Sequence, residues 1–153
     1  MFSSIVHLTI KKVKLIIHQD NYLDPVLAGQ VCPYCNCPTE LVSDKEIYGP
    51  NSQYGGKYYR CVKNHDHYVG CHAYSTLALG RVADKTLREL KHQGHELFDP
   101  LWKNKVFSSR PKAYYWLSKQ MGIRRDLTHF GMFDEEQCRM AISIITNFIN
   151  TLK

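Results

Sequence analysis

The spacing of apolar and polar positions changes twice along the chain. From Ile5 to Ile17, β-branched residues partly alternate with polar ones, which predicts one strand, and a turn-rich stretch follows to Gly29. Between residues 30 and 75, short β-prone pieces (Thr39 to Val42, Lys57 to Cys61, His67 to Cys71) are separated by Gly, Pro and Asn. After Gly80 the period becomes helical. Leu87, Leu90, Leu97, Phe98, Leu101 and Trp102 fall on one face, with Asp84 as the expected N-cap. Pro100 lacks an amide hydrogen and crowds the preceding turn, so this helix is expected to end or kink near Phe98. A second helix is expected after Ser108 or Ser109, with Pro111 in its first turn, running to about Met121 before Gly122. Behind a cap at Asp134, the residues Cys138, Ala141, Ile142, Ile145, Phe148, Ile149 and Leu152 form one apolar stripe and predict the last helix. The expected fold is α+β: an N-terminal strand and extension over 1–29, a β-rich ribbon over 30–80, and a three-helix assembly over 81–153 on which the ribbon packs.

The ribbon segment holds little apolar material, so something other than a hydrophobic core must cross-link it. Six cysteines are available, three of them between Cys32 and Cys37. Such crowding, without any sign of a secretory context, favours metal ligation over disulfides. Lys11, Lys12 and Lys14 interrupt the N-terminal apolar run and no small-residue cleavage site follows, against the pattern of an export signal. No stretch approaches the ~18 uninterrupted apolar residues of a membrane span. The expectation is a soluble, cytoplasmic protein without a membrane partner.

Cys32-Pro-Tyr-Cys35 places two thiolates on one tight turn, shaped by Pro33 so that backbone amides also point at the sulfurs. A tetrahedral ion needs a second pair. Cys61 and His65 supply it in C-x3-H spacing, just after the β-prone Lys57 to Arg60. The predicted ligand set is therefore Cys32, Cys35, Cys61 and His65. His67, Cys71 and His72 lie close enough to compete for the fourth position, and Cys37 for that of Cys35. Four protein ligands leave no open position, and a sulfur and imidazole set favours zinc over calcium or magnesium, so the predicted cofactor is a structural zinc. Cys138 belongs to the stripe of the last helix and is read as packing.

Further pieces of the chain add a resemblance. Cys32-Pro-Tyr-Cys35, Ile47-Tyr48-Gly49, Tyr68-Val69-Gly70-Cys71-His72, Leu79-Gly80, Leu87-Arg88, His95 with Phe98-Asp99-Pro100-Leu101-Trp102, Ala113-Tyr114 with Trp116-Leu117, and His129 with Gly131-Met132-Phe133 and Cys138 occur in order between Cys32 and Leu152. Together they resemble a family of small zinc-finger-containing proteins of bacteria and their phages, the DUF3268 type. The family pattern has a cysteine where this chain has His65, an exchange compatible with zinc. The resemblance implies a zinc finger with a fixed helical partner, and a phage or mobile-element habitat, but no activity.

Charge decides among functions. The formal net charge of +6 permits a polyanionic partner without requiring one, and its distribution says more. Lys103, Lys105, Arg110, Lys112, Lys119, Arg124 and Arg125 follow one another without an acidic residue between them, interleaved with Phe107, Tyr114, Tyr115 and Trp116. Cations that neutralise phosphates beside rings that stack on bases make DNA or RNA the first expected partner. An enzyme using His72, His95, Asp99 and His129 ranks below this, because the chain has no nucleophile motif, phosphate loop or catalytic metal signature. His95 and Asp99 are one helical turn apart and can share a face. A module that binds a host protein is the third reading.

Overall fold

The computed structural model describes residues 24–153, so the strand expected over Ile5 to Ile17 lies outside the described residues. The described chain is α+β and forms two compact units. One comprises the described residues up to His65 together with Val69–Val82; the other comprises Asp66–Tyr68 together with Ala83–Lys153.

Three short strands form one sheet: β1 (Thr39–Ser43), β2 (Lys57–Cys61) and β3 (Tyr68–Gly70), in the order β1-β2-β3. β1 and β2 run antiparallel, with Thr39 opposite Cys61 and Ser43 opposite Lys57. Isolated bridges join Val31 to Pro38 and Cys71 to Ala78, extending the ribbon beyond its regular pairing. The buried cluster here is small: Cys32, Cys61, Val69, Ala78 and Val82. Gly29 takes a left-handed φ of +69° at a crowded point, where a Cβ would lie 2.8 Å from the Cβ of Ala78 and 3.1 Å from the carbonyl of Gly80. Only glycine suits both demands.

A one-turn helix that the apolar pattern does not announce, α1 (Asp44–Tyr48), follows β1 directly. Its cause is local: the amide of Ser43 donates to Glu46 Oε2 at 2.8 Å, half of an S-x-x-E capping box. Asp44, buried at the start of this turn, accepts from the Ser52 hydroxyl and the Gly55 amide, both at 2.8 Å. Those donors, the Gly55 amide first, hold its carboxyl below the ordinary range.

The second unit is helical. α2 (Lys85–Lys103), α3 (Arg110–Met121) and α4 (Glu135–Thr151) surround an apolar core that includes Phe98, Tyr114, Phe130 and Phe133, with a short 3-10 turn at Arg125–Leu127. Each helix start satisfies orphan amides. Asp84 accepts from Leu87 N at 2.9 Å, Ser109 from Lys112 N at 3.4 Å, and Asp134 from Gln137 N at 2.8 Å, with Gln137 returning the bond to Asp134 N at 3.0 Å. Gly122 ends α3 in the left-handed region. Phe98 packs 4.5 Å from Tyr114 and 5.9 Å from Phe130, centroid to centroid, while Trp116 lies 5.2 Å from Phe107 and 4.6 Å from Phe148.

Of the two outcomes expected at Pro100, an end or a kink near Phe98, the end does not occur: α2 carries Pro100 inside it. The proline costs about 3 kcal/mol as a helix interior residue. Burial of Phe98 and Leu101 on either side, at about 1.5–3 kcal/mol per large apolar side chain, outweighs it. Among the described residues no helix is long and apolar enough to cross a membrane.

Candidate metal centre

The first turn of the site is built by the backbone. The amide of Cys32 donates to the carbonyl of Cys37 and the amide of Asn36 to the carbonyl of Cys32, both at 2.9 Å, and Asn36 takes a left-handed φ of +56°. This closed turn brings Cys35 back beside Cys32. Cys37 is directed elsewhere, its thiol donating to the carbonyl of Cys35 at 3.3 Å. The second turn follows β2, where the amide of Asn64 points at Cys61 Sγ at 3.4 Å.

Cys32, Cys35, Cys61 and His67 present one ligand atom each, all within 4.8 Å of one another. A tetrahedron with Zn–S distances of ~2.3 Å has edges of roughly 3.8 Å, so the four groups need close in only slightly around an ion. Cys32 and Cys61 are fully buried, and no cysteine is in a disulfide. Electrostatics adds to the picture. Burial pushes the Cys35 thiol up to about 11, helped by hydrogen bonds and charge from Cys61 and Cys32. Burial acts the same way on Cys61, but the amides of Asn64 and Lys63 and the two neighbouring thiols outweigh it, and Cys61 titrates below its ordinary value. Three thiols so close cannot all ionise without a cation between them. A divalent ion that displaces their protons resolves the conflict.

At the fourth position the structure differs from the expectation. His65, the expected ligand, has a side chain 62% exposed, and its Nε2 lies 3.9 Å from Glu40 Oε1 rather than beside the thiols. The reason is the turn after Cys61: residues 62 to 66 wrap around the sulfur, and His65 falls on its outer side. His67 immediately precedes β3, where a two-residue period puts it on the same side as Val69, which packs against Cys32 and Cys61. Cys71 is two residues further along and bridges to Ala78 instead, its thiol pushed up by burial. His72 is exposed.

Residues 28–148 match the DUF3268 zinc-finger-containing domain. The chain belongs to that family. No curated protein and no solved structure is similar to it. In this DUF3268 chain the three-sulfur, one-imidazole cluster could hold a metal ion, and its donors are consistent with zinc.

The expected basic surface lies in the helical unit. Lys103, Lys105, Arg110, Lys112, Lys119 and Arg124 are exposed and Arg125 is half-buried. Two carry carboxylate partners: Lys103 Nζ is 3.9 Å from Asp99 Oδ2, and Arg124 Nε donates to Asp126 Oδ1 at 3.1 Å. Lys119 lies over the exposed ring of Tyr115 at 5.1 Å. Arg110 and Arg125 meet at a single ring, with Cζ 5.4 Å and 5.3 Å from the centroid of Tyr114. Of the residues considered for catalysis, His95 and Asp99 pair at 3.4 Å, and His129 packs 5.1 Å from Tyr114.

Proposed function

We propose that this DUF3268 protein is a nucleic-acid-binding accessory or regulatory protein, in which Cys32, Cys35, Cys61 and His67 hold one structural zinc and the segment Lys103 to Arg125 contacts phosphates. Zinc with four protein ligands has no open position for a substrate, so its role is to fold the ribbon. The observation that carries the binding role is the state of the basic segment. Lys105, Arg110, Lys112, Lys119 and Arg125 have no carboxylate partner among the described residues. Unpaired cations on one segment attract a polyanion and release its counterions on contact.

Fluorescence anisotropy with labelled single- and double-stranded DNA and RNA at several salt concentrations tests the reading. The zinc-loaded protein is expected to bind with an affinity that falls steeply with salt. The triple variant Lys105→Gln, Lys112→Gln, Lys119→Gln is expected to reduce the slope of log K against log salt by roughly 0.7 to 0.9 for each phosphate that is no longer neutralised. A slope that stays at the wild-type value would end the proposal.

A further inference from the structure

Four arginines of this chain are held by carboxylates. Arg60 binds Glu40, Arg88 binds Asp66, Arg124 binds Asp126 and Arg139 binds Glu135. Arg110 and Arg125 do otherwise. They come from different elements, the first residue of α3 and the 3-10 turn, yet both guanidiniums face Tyr114. Two like charges over one ring repel each other, and neither has a carboxylate partner among the described residues. The ring itself is fixed. Tyr114 is buried and packed on Phe98. Of the negative groups near, Asp126 beside Arg125 is held by Arg124, and the other is Asp99. Its charge is already answered, because His95 Nδ1 and Trp102 Nε1 lie 3.4 Å from Oδ1 and Lys103 Nζ 3.9 Å from Oδ2. The surroundings of Tyr114 therefore keep an excess of positive charge, borne by two planar forks.

Such forks suit an oxyanion that accepts two bonds from each, and two of them suit a doubly charged one. A phosphodiester carries one charge, whereas a terminal phosphomonoester approaches two at neutral pH. We infer that Arg110 and Arg125, held on the rim of Tyr114, form a seat for the terminal phosphate of a nucleic-acid strand. This inference rests on the proposed nucleic-acid binding and gives that surface a polarity: strand ends rather than strand interiors. His129, against the same ring, lies beside the seat.

The test uses the full-length zinc-loaded protein and three labelled oligonucleotides of one sequence, carrying a 5′-phosphate, a 3′-phosphate or neither. Inorganic phosphate serves as competitor in anisotropy titrations and as the sole ligand in NMR of the arginine Nε–H signals. One phosphorylated strand is expected to bind roughly tenfold or more tightly than the unphosphorylated one, the value of a single charge-assisted bond. That preference should vanish in Arg110→Gln and in Arg125→Gln, and survive in Arg139→Gln, whose arginine is paired on α4. Arg110 is exposed and Arg125 half-buried, and if one variant fails to fold, the other reads the same preference. Equal binding of all three strands overturns the inference and leaves the nucleic-acid reading intact. Shifts of the Arg110 and Arg125 signals by inorganic phosphate, with no strand bound, overturn both the strand as source and the proposed function. A preference that persists in both arginine variants overturns the assignment to these residues.

Discussion

The two units of this chain solve the same problem with different physics. In the helical unit, long stripes on α2, α3 and α4 meet, and Phe98, Tyr114, Leu117, Phe130, Phe133 and Ile145 are fully or almost fully buried. In the ribbon unit the buried cluster, apart from two cysteines, consists of Val69, Ala78 and Val82. At about 1.5–3 kcal/mol for a buried valine, and less for an alanine, that cluster cannot offset the cost of ordering so much loop. A structural zinc contributes an apparent ~10–16 kcal/mol of coupled binding and folding. On the proposed reading a metal takes the place of a core where the three thiols meet, while the helical unit owes its stability to apolar burial.

The largest effect that separates them is therefore metal removal. Chelation, or Cys61→Ser, is expected to abolish the dispersed NMR signals of Val69 and Val82 while the helical far-UV signal largely persists. Simultaneous loss of both would break the comparison. Within the site, His67→Ala should weaken zinc affinity by an order of magnitude or more, and His65→Ala should leave it near wild type. Equal losses from the two would unseat His67 as the fourth ligand.

A smaller effect is expected from the other side of the comparison. Gly94 lies within α2 where a Cβ would stand 2.1 Å from Cε1 of Phe130, a ring with no exposure and no room to turn. Gly94→Ala gains helix propensity worth up to about 1 kcal/mol, but overpacking of a filled core costs about 1–3 kcal/mol. At such a distance the second term dominates. Thermal melts should show the helical unit destabilised by roughly 1–2 kcal/mol, with zinc affinity unchanged. A drop in zinc affinity would show that the two units do not divide their stability in this way.

How much of this is legible without coordinates follows the same division. The helices are, because α2 and α4 are each announced by a stripe behind a cap at Asp84 or Asp134, and α3 by Ser108 or Ser109, Pro111 and Gly122. The strands over 39–43, 57–61 and 68–70 are announced by β-branched and aromatic residues between glycines and asparagines. Cys32, Cys35 and Cys61 are found together because a C-x-x-C turn and a cysteine at the end of a strand can serve little else at that spacing. His67 is less legible than His65, since ligand spacing favours a short C-x3-H and nothing shows that the turn after Cys61 places residue 65 outward. Alternation with Val69 was the available signal. The persistence of α2 through Pro100 and the meeting of Arg110 with Arg125 depend on tertiary packing, which no local pattern encodes. The S-x-x-E box at Ser43 did encode α1, in a segment too short for apolar periodicity to register.

The smallest effect concerns acid. Asp44 pins the loop that leads into β2, and its carboxyl is held below the ordinary range by the Gly55 amide and Ser52 hydroxyl. A carboxyl with a depressed folded pKa adds stability that is present above its unfolded value of ~3.9 and disappears as pH falls through the lower, folded one. The proposed zinc ligands respond earlier on the way down. Imidazole and thiolate, with ordinary values of ~6.5 and ~8.5, take up protons in competition with the metal well before Asp44 does. The acid transition of the ribbon unit should thus follow zinc release, not the carboxylate. Asp44→Asn is expected to speed hydrogen exchange at the Gly55 amide at neutral pH, yet leave the midpoint of acid unfolding where it is. Should that midpoint shift with the substitution, the carboxylate rather than the metal would be setting the acid limit of the ribbon, and the sharp contrast between its metal-held core and the apolar core of the helices would have to be softened.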